Sequence, residues 1–364
     1  MIYVHVPFCR SFCTYCDFYS ERACPSDRWL EELCGEALGR RDEIAETSAV
    51  DTLYIGGGTP SVLPLPYLGR IADACGGRSW KEWTVEVNPD DITAEYAAGL
   101  RFLGVNRVSM GVQSLDDGML RWMNRRHDAE GARAAFRLLR TAGFDNISVD
   151  VIFGVGGMSE DMLKGTVEEI AGWRPEHISA YQLSVEEGSA LGRMAREGRY
   201  AELPEDECSE QYYLICGMLA AAGYEHYEIS NWALPGRRAV HNSAYWTRAP
   251  YVGLGPGAHS LTRGSLPPSC SGGPSSRGPV AAAAERRRWN SEALTGWTVT
   301  EEVLTQEEIR EEQIMLGLRT SDGIPSDLLS GKAPGLLVPS SLPGRLRIPE
   351  DRWFTADDII SSLI

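Results

Sequence analysis

Three cysteines crowd into eight residues near the start of the chain, in the run Cys9-Arg-Ser-Phe-Cys13-Thr-Tyr-Cys16. The spacing is C-x3-C-x2-C. Cysteine thiolates hold iron–sulfur clusters, and a loop wrapped round a cube can deliver three of them to three irons. The fourth iron of a [4Fe-4S] cluster then lacks a protein ligand and is open to chelation by a small molecule. Zinc is the competing reading, because C-x2-C also occurs in zinc sites. Structural zinc usually draws on two ligand pairs, and no second pair is evident here, although His5 or Cys24 could contribute. A redox dithiol is a third alternative. The other six cysteines (Cys24, Cys34, Cys75, Cys208, Cys216 and Cys270) are scattered. They read as small core or surface residues.

Further polar and glycine-bearing motifs recur along the chain. Gly56, Gly57 and Gly58 precede Thr59-Pro60, and their missing Cβ atoms would let backbone approach a ligand closely. A tight turn would explain the triplet equally well. Glu86 ends a strand-like run and is read either as a carboxylate in a site or as an exposed strand end. Each motif follows an apolar run with strand character: Ile2–Val6, Thr52–Ile55, Thr84–Val87 and Arg107–Met110, with Ile147–Phe153 and His177–Leu183 beyond them. Amphipathic stretches such as Asp27–Arg40, Glu130–Ala142 and Glu160–Trp173 separate these runs. Such alternation predicts βα units and a parallel sheet. Six strands are fewer than a closed barrel's eight, so an open α/β partial (β/α)6 barrel of TIM type is expected. Motifs that follow strands in such a barrel share its C-terminal face, so these should converge.

Composition sets the frame. The 364 residues carry a net charge of −16 and are 43% hydrophobic. That charge argues against broad adhesion to nucleic acid or anionic membrane. No apolar run is long enough to span a bilayer, and residues 1–8 do not read as a signal peptide, so a cytoplasmic protein is expected. Residues 1–260 form the expected barrel segment. Residues 261–289 read as a flexible insertion, centred on the Ser-, Gly-, Pro- and Ala-rich stretch Ser265–Ala284. Residues 290–364 read as a small α-rich C-terminal domain. It has a capping box at Thr305 and Glu308 opening a helix over Thr305–Leu318, and a last helix beginning near Thr355.

The motifs together resemble a known family. Tyr3-Val-His-Val-Pro-Phe-Cys9 with the triad is similar to the radical S-adenosylmethionine (SAM) group that contains oxygen-independent coproporphyrinogen dehydrogenases and the related haem chaperones. The likeness continues through Gly56-Gly-Gly-Thr59-Pro60-Ser61, Glu86-Val-Asn88-Pro89, Ser109-Met-Gly111-Val-Gln113-Ser114, Asn124-Arg125 and Asp150-Val-Ile-Phe-Gly154. It runs on through Tyr227-Glu-Ile-Ser-Asn231, His241-Asn242-Ser-Ala-Tyr245-Trp246, Gly253–Ser260 and Met315-Leu-Gly-Leu-Arg319. The resemblance implies that Cys9, Cys13 and Cys16 hold the cluster and that SAM binds its open iron. An electron from the cluster would then cleave the sulfonium C–S bond to a deoxyadenosyl radical. It further implies that Gly57, Gly58 and Thr59 contact the methionine part of SAM, and that Glu86, Gln113, Arg125 and Asp150 surround it. Tyr3 and Tyr15 would pack near the cofactor, with ordinary core packing as the alternative.

Two features place the chain nearer the chaperone branch. The dehydrogenases carry a fourth cysteine two positions after the third, where this chain has Phe18. The His241-Asn242-x-x-Tyr245-Trp246 pattern is similar to that branch's signature. On this reading His241 is a haem ligand flanked by Tyr245 and Trp246; alternatively His241 only ties down a loop. His259, in a Gly-rich loop, is a weaker candidate. The implied partners are haem and haem-accepting apo-proteins, with transient contact to membrane haem proteins. The dehydrogenase reaction, radical decarboxylation of coproporphyrinogen propionates, is the alternative. One departure from the pattern is Gly154-Val-Gly156-Gly157-Met158, where relatives carry Pro and Gln; it leaves Asp150 intact.

Overall fold

The computed structural model describes residues 1–77, 79–264, 284–329 and 335–364. Six parallel strands lie side by side in chain order: β1 (Ile2–Val6), β2 (Thr52–Gly57), β3 (Glu82–Val87), β4 (Arg107–Gln113), β5 (Ile147–Phe153) and β6 (His177–Gln182). Helices such as Asp27–Gly39, Ala129–Thr141 and Glu160–Trp173 cover their outer face. The sheet does not close. β6 is extended by two short antiparallel strands, β7 (Glu225–Glu228) and β8 (Asn231–Ala233), while β9 (Val252–Leu254) adds in parallel beyond β1. The expected partial (β/α)6 barrel is present, with a three-strand extension.

Local chemistry explains where these elements start. Ser26, Thr93, Asp116, Asp128 and Ser159 each accept a backbone N–H of the first turn of the helix that follows. Each such cap is worth about 1 kcal/mol. Along β1, Ile2, Val4 and Val6 are fully buried under the helices, so the alternate residues Tyr3 and His5 point the other way, to the barrel interior. That interior is polar. Thr52, Thr84, Arg107, Ser148 and His177 are all buried in it, and His177 bridges the Ser148 and Tyr227 hydroxyls at 2.7 and 2.8 Å.

Beyond the barrel, β10 (His259–Gly264), β11 (Ala284–Asn290) and β12 (Val299–Val303) form an antiparallel ribbon. β10 crosses residue 260, where the barrel segment was expected to stop. Of the Ser265–Ala284 stretch, only Ala284 falls within the described residues, and it opens β11. The tail has the expected helices, Gln306–Gly317 and Ala356–Ser361. The capping box forms as read, with Thr305 and Glu308 each accepting the other's backbone N–H. The tail also carries a three-stranded sheet of β13 (Ile324–Pro325), β14 (Val338–Pro339) and β15 (Arg345–Arg347). Strands of two or three residues are too short to leave a period of two in the sequence, so the α-rich reading of the tail does not include them. No described helix is long and apolar enough to cross a membrane.

Candidate functional site

A cavity of about 670 Å³ opens at the C-terminal ends of the barrel strands. Cys9, Cys13 and Cys16 line it from the loop after β1. That loop is held at several points. Cys9 N–H donates to the Glu21 carbonyl at 3.1 Å and Thr14 N–H to the Met123 carbonyl at 3.1 Å. The Thr14 hydroxyl donates to the Trp122 carbonyl at 2.9 Å, and Asn124 Nδ2 to the Phe12 carbonyl at 2.7 Å. The segment after β4 therefore braces the cysteine loop from across the mouth.

The loop after β2 supplies the facing wall. Gly57 has φ +110°, and a Cβ there would stand 2.8 Å from the His5 ring. A Cβ on Gly58 would stand 2.8 Å from the Phe8 carbonyl and 3.0 Å from Cys9 Sγ. Side chains at these positions would separate the two loops, which is why glycine is needed. Thr59 Oγ1 lies 3.3 Å from Cys9 Sγ.

Two half-buried carboxylates form the floor. Glu86 accepts the Tyr54 hydroxyl at 2.7 Å and the Gly57 N–H at 3.1 Å. Burial pushes its carboxyl up to about 7, with Asp150 adding to the rise and the two hydrogen bonds opposing it. Asp150 accepts the Ser109 hydroxyl at 3.4 Å. Burial raises it to about 6, against the pull of Arg107 and its serine partners. The cavity thus holds carboxylates that gain from a cation or donor brought by a ligand.

Gln113 and Arg125 complete the wall. β4 shifts register against β5 between Gly111 and Gln113, and Gln113 adopts φ +69°. Such a bulge re-aims the side chain, and Gln113 lines the cavity with its buried Oε1 lacking any partner. Arg125 donates to the Gly111 carbonyl at 2.6 Å and Asn88 Oδ1 at 2.7 Å, and its Nη1 lies 3.3 Å from Cys13 Sγ. Its Nε is buried without a partner. Orphaned polar atoms of this kind are costly in a native protein unless a ligand or water completes them.

The donor set suits a cluster with a small zwitterion on its open iron. All three thiols are free and face one cavity. Burial raises the Cys16 thiol to about 11, a cost that binding to iron removes because the ligand is the thiolate. Among the described residues no three His, Cys, Asp or Glu side chains converge tightly enough to share a single metal ion. A cubane makes a different demand, because each thiolate binds its own iron. Tyr15 also lines the cavity.

Two sequence candidates lie elsewhere. Tyr3 faces a separate, smaller cavity and hydrogen-bonds His5 Nδ1 at 3.0 Å. His241 reaches neither cavity wall. It is 1% exposed, and both ring nitrogens are engaged, Nδ1 with the Thr52 hydroxyl at 2.8 Å and Nε2 with the Tyr245 hydroxyl at 3.0 Å. The Glu82 carboxylate accepts the backbone N–H groups of Val240 and His241 at 2.8 Å each, which fixes the helix Val240–Trp246. Burial drives the His241 imidazole down to about 3, so it stays neutral. The geometry matches the loop-tying alternative, because a motif shows residue types and not their depth. Conversely, Tyr54 and Asn88 were not among the sequence candidates. Tyr54 holds Glu86, and Asn88 holds Arg125. The available signal for Tyr54 was strand parity, two residues before Gly56.

Comparison with known proteins agrees with this geometry. The radical SAM superfamily model matches residues 3–170. A protein of Lactococcus lactis named heme chaperone HemW is 34% identical over 328 residues, covering 88% of this chain and 82% of that one. The Bacillus subtilis protein of the same name is 34% identical, covering 88% and 84%. The Escherichia coli one is 33% identical, covering 71% and 69%. Among solved structures, coproporphyrinogen III oxidase (HemN) of Escherichia coli superposes with a TM-score of 0.73 over all of this chain and 89% of its own. At 18% identity that likeness shows the fold alone. With a third of its residues shared across most of these relatives' length, the chain belongs to the HemW family of radical SAM proteins.

Proposed function

We propose that this protein is a SAM-binding [4Fe-4S] haem chaperone, which binds haem and hands it to haem-dependent apo-proteins in the cytoplasm, including transiently those at a membrane. The observation that carries the reading is its likeness, over more than four-fifths of their length, to relatives named heme chaperone. Phe18 supports it, because the dehydrogenase pattern has a fourth cysteine at that position. In this reading Cys9, Cys13 and Cys16 hold the cluster, and Gly57, Gly58 and Thr59 give the methionine part of SAM a close backbone surface. Glu86 and Asp150 place negative charge beneath the ligand, and Gln113 and Arg125 offer it hydrogen bonds. When bound, the cluster supplies an electron source and an open iron. The chain's own residues bind, orient and shield.

The test is haem transfer. The cluster is reconstituted anaerobically, haem is loaded, and an apo haem protein from the same cell is added. Transfer faster than from free haemin at equal concentration is the expected result. No haem loading, or transfer no better than free haemin, rejects the chaperone. In that case product analysis with SAM, reductant and coproporphyrinogen III tests the dehydrogenase reaction.

A further inference from the structure

The strap Asp17–Phe18 is a wall common to two cavities. On its far side from the cysteines lies a half-open slot of about 320 Å³, walled by Tyr3, His5, Tyr19, Tyr245 and Tyr251, with His259 at one edge. Aromatic rings offer flat faces to a macrocycle, and imidazole or phenolate can ligate its iron.

The ligand-type groups in the slot are not equivalent. His5 is committed, with Nδ1 on the Tyr3 hydroxyl at 3.0 Å and Nε2 on the Tyr19 carbonyl at 2.9 Å. The Tyr245 hydroxyl is held by His241 at 3.0 Å. His259 differs. It begins β10, stacks on Trp289 of β11 with ring centroids 6.1 Å apart and planes 17° apart, and is exposed. Among the described residues neither of its ring nitrogens has a hydrogen-bond partner. Partial burial, with Arg287 nearby, lowers its pKa, so the imidazole is neutral and ready to ligate at physiological pH.

We propose that this slot is the haem site of the protein and that His259 supplies the axial ligand to the iron. The proposal rests on the haem-chaperone reading above and deepens it. Orientation follows from charge. Asp17 and Glu292 also line the slot, and carboxylates disfavour the propionates of haem, so the apolar edge enters and the propionate edge stays in solvent. The slot is at the small end for a ligand pocket, so haem is held by one edge and one ligand. A carrier that must release haem gains from such partial enclosure. The His241–Tyr245 pair then acts as a positioning unit, with His241 behind the wall fixing the Tyr245 ring that faces the porphyrin. Phe18, 73% exposed, stands between haem and cluster.

The test uses the full chain with its cluster reconstituted, titrated anaerobically with haemin and followed by the Soret band and the ferric-haem EPR signal. The wild type should bind one haem with a histidine-ligated signature. His259→Ala should weaken binding at least tenfold and lose that signature, with iron and sulfide content unchanged, and added imidazole should restore the signature. His259→Met should change the ligand signature while retaining haem. Wild-type affinity and signature in both variants would overturn the site and leave the chaperone reading standing. No haem uptake by the wild type would overturn both.

Discussion

The two cavities on either side of Asp17–Phe18 are built on opposite principles. In the cluster cavity, polar groups are left incomplete. Glu86 and Asp150 are half-buried with raised carboxyl values, and Gln113 Oε1 and Arg125 Nε have no partners. In the slot next to it, inner polar groups are partnered: Tyr3 with His5, His5 also with the Tyr19 carbonyl, and Tyr245 with His241 behind the wall. Incomplete groups hold binding energy in reserve for a ligand that satisfies them. Complete groups hold a shape and leave recognition to ring faces and to the groups that stay free, such as His259. The first arrangement suits a tightly specified cofactor, and the second suits cargo that must leave.

The largest effect expected is in the cluster cavity. Cys13→Ala should abolish cluster assembly, because three thiolates are the minimum for a site-open cube. The measurement is iron and acid-labile sulfide after anaerobic reconstitution. Full retention of both would end the cluster assignment. The slot has no cysteine in it, so its aromatic frame should survive, and folding of the variant by near-UV circular dichroism separates the two regions.

The next test concerns Glu86. A carboxyl raised from 4.5 to about 7 in the folded state costs on the order of 3 kcal/mol to ionise there. The folded state binds the extra proton between those values, so SAM-free protein should lose stability as pH rises from 4.5 towards 7. Glu86→Gln should flatten that part of the pH profile of thermal melting. SAM brings a sulfonium cation, so the same variant should bind SAM more weakly by about 1.5–3 kcal/mol, tenfold or more, in calorimetry on the reconstituted protein. Unchanged SAM affinity would remove Glu86 from the ligand's surroundings and weaken the contrast between the cavities.

These two tests act on residues that the sequence already displays, for physical reasons. The barrel strands are buried on both faces or packed against helices, so they read as apolar runs, and β1 and β5 fall where the pattern places them. A parallel barrel gathers whatever follows its strands, so Cys9–Cys16, Gly57–Thr59, Glu86 and Gln113 converge. The slot has no such rule behind it. Tyr3 and His5 come from β1, Tyr19 from the end of the cysteine loop, Tyr245 from a helix and His259 from the ribbon. Nothing in the spacing of these residues says that they meet. The two readings of His241 stay open in the sequence for a related reason, since its hydrogen bond to Thr52 spans 189 residues.

A subtler test lies behind the slot wall. His241→Ala should destabilise the fold by about 1–3 kcal/mol, the usual cost of leaving buried partners unpaired. Thr52 and Tyr245 each lose a hydrogen-bond partner. Haem binding should weaken modestly through a looser Tyr245, while the axial-ligand signature persists. Loss of that signature in His241→Ala, with retention in His259→Ala, would reverse the roles of the two histidines.

The smallest effect is expected at a residue that lines neither cavity. Thr305 caps the helix Gln306–Gly317, which packs on the helix that carries His241 and Tyr245. Thr305→Ala removes one arm of the capping box and should cost about 1 kcal/mol of stability, read as a lower urea midpoint with an unchanged slope. Fraying of one turn leaves the packed part of that helix in place. Iron content, SAM affinity and haem signature should therefore match the wild type. A selective loss of haem with cluster and SAM intact would show that the tail sets the position of Tyr245. The slot, unlike the cluster cavity, would then depend on the C-terminal segment for its shape.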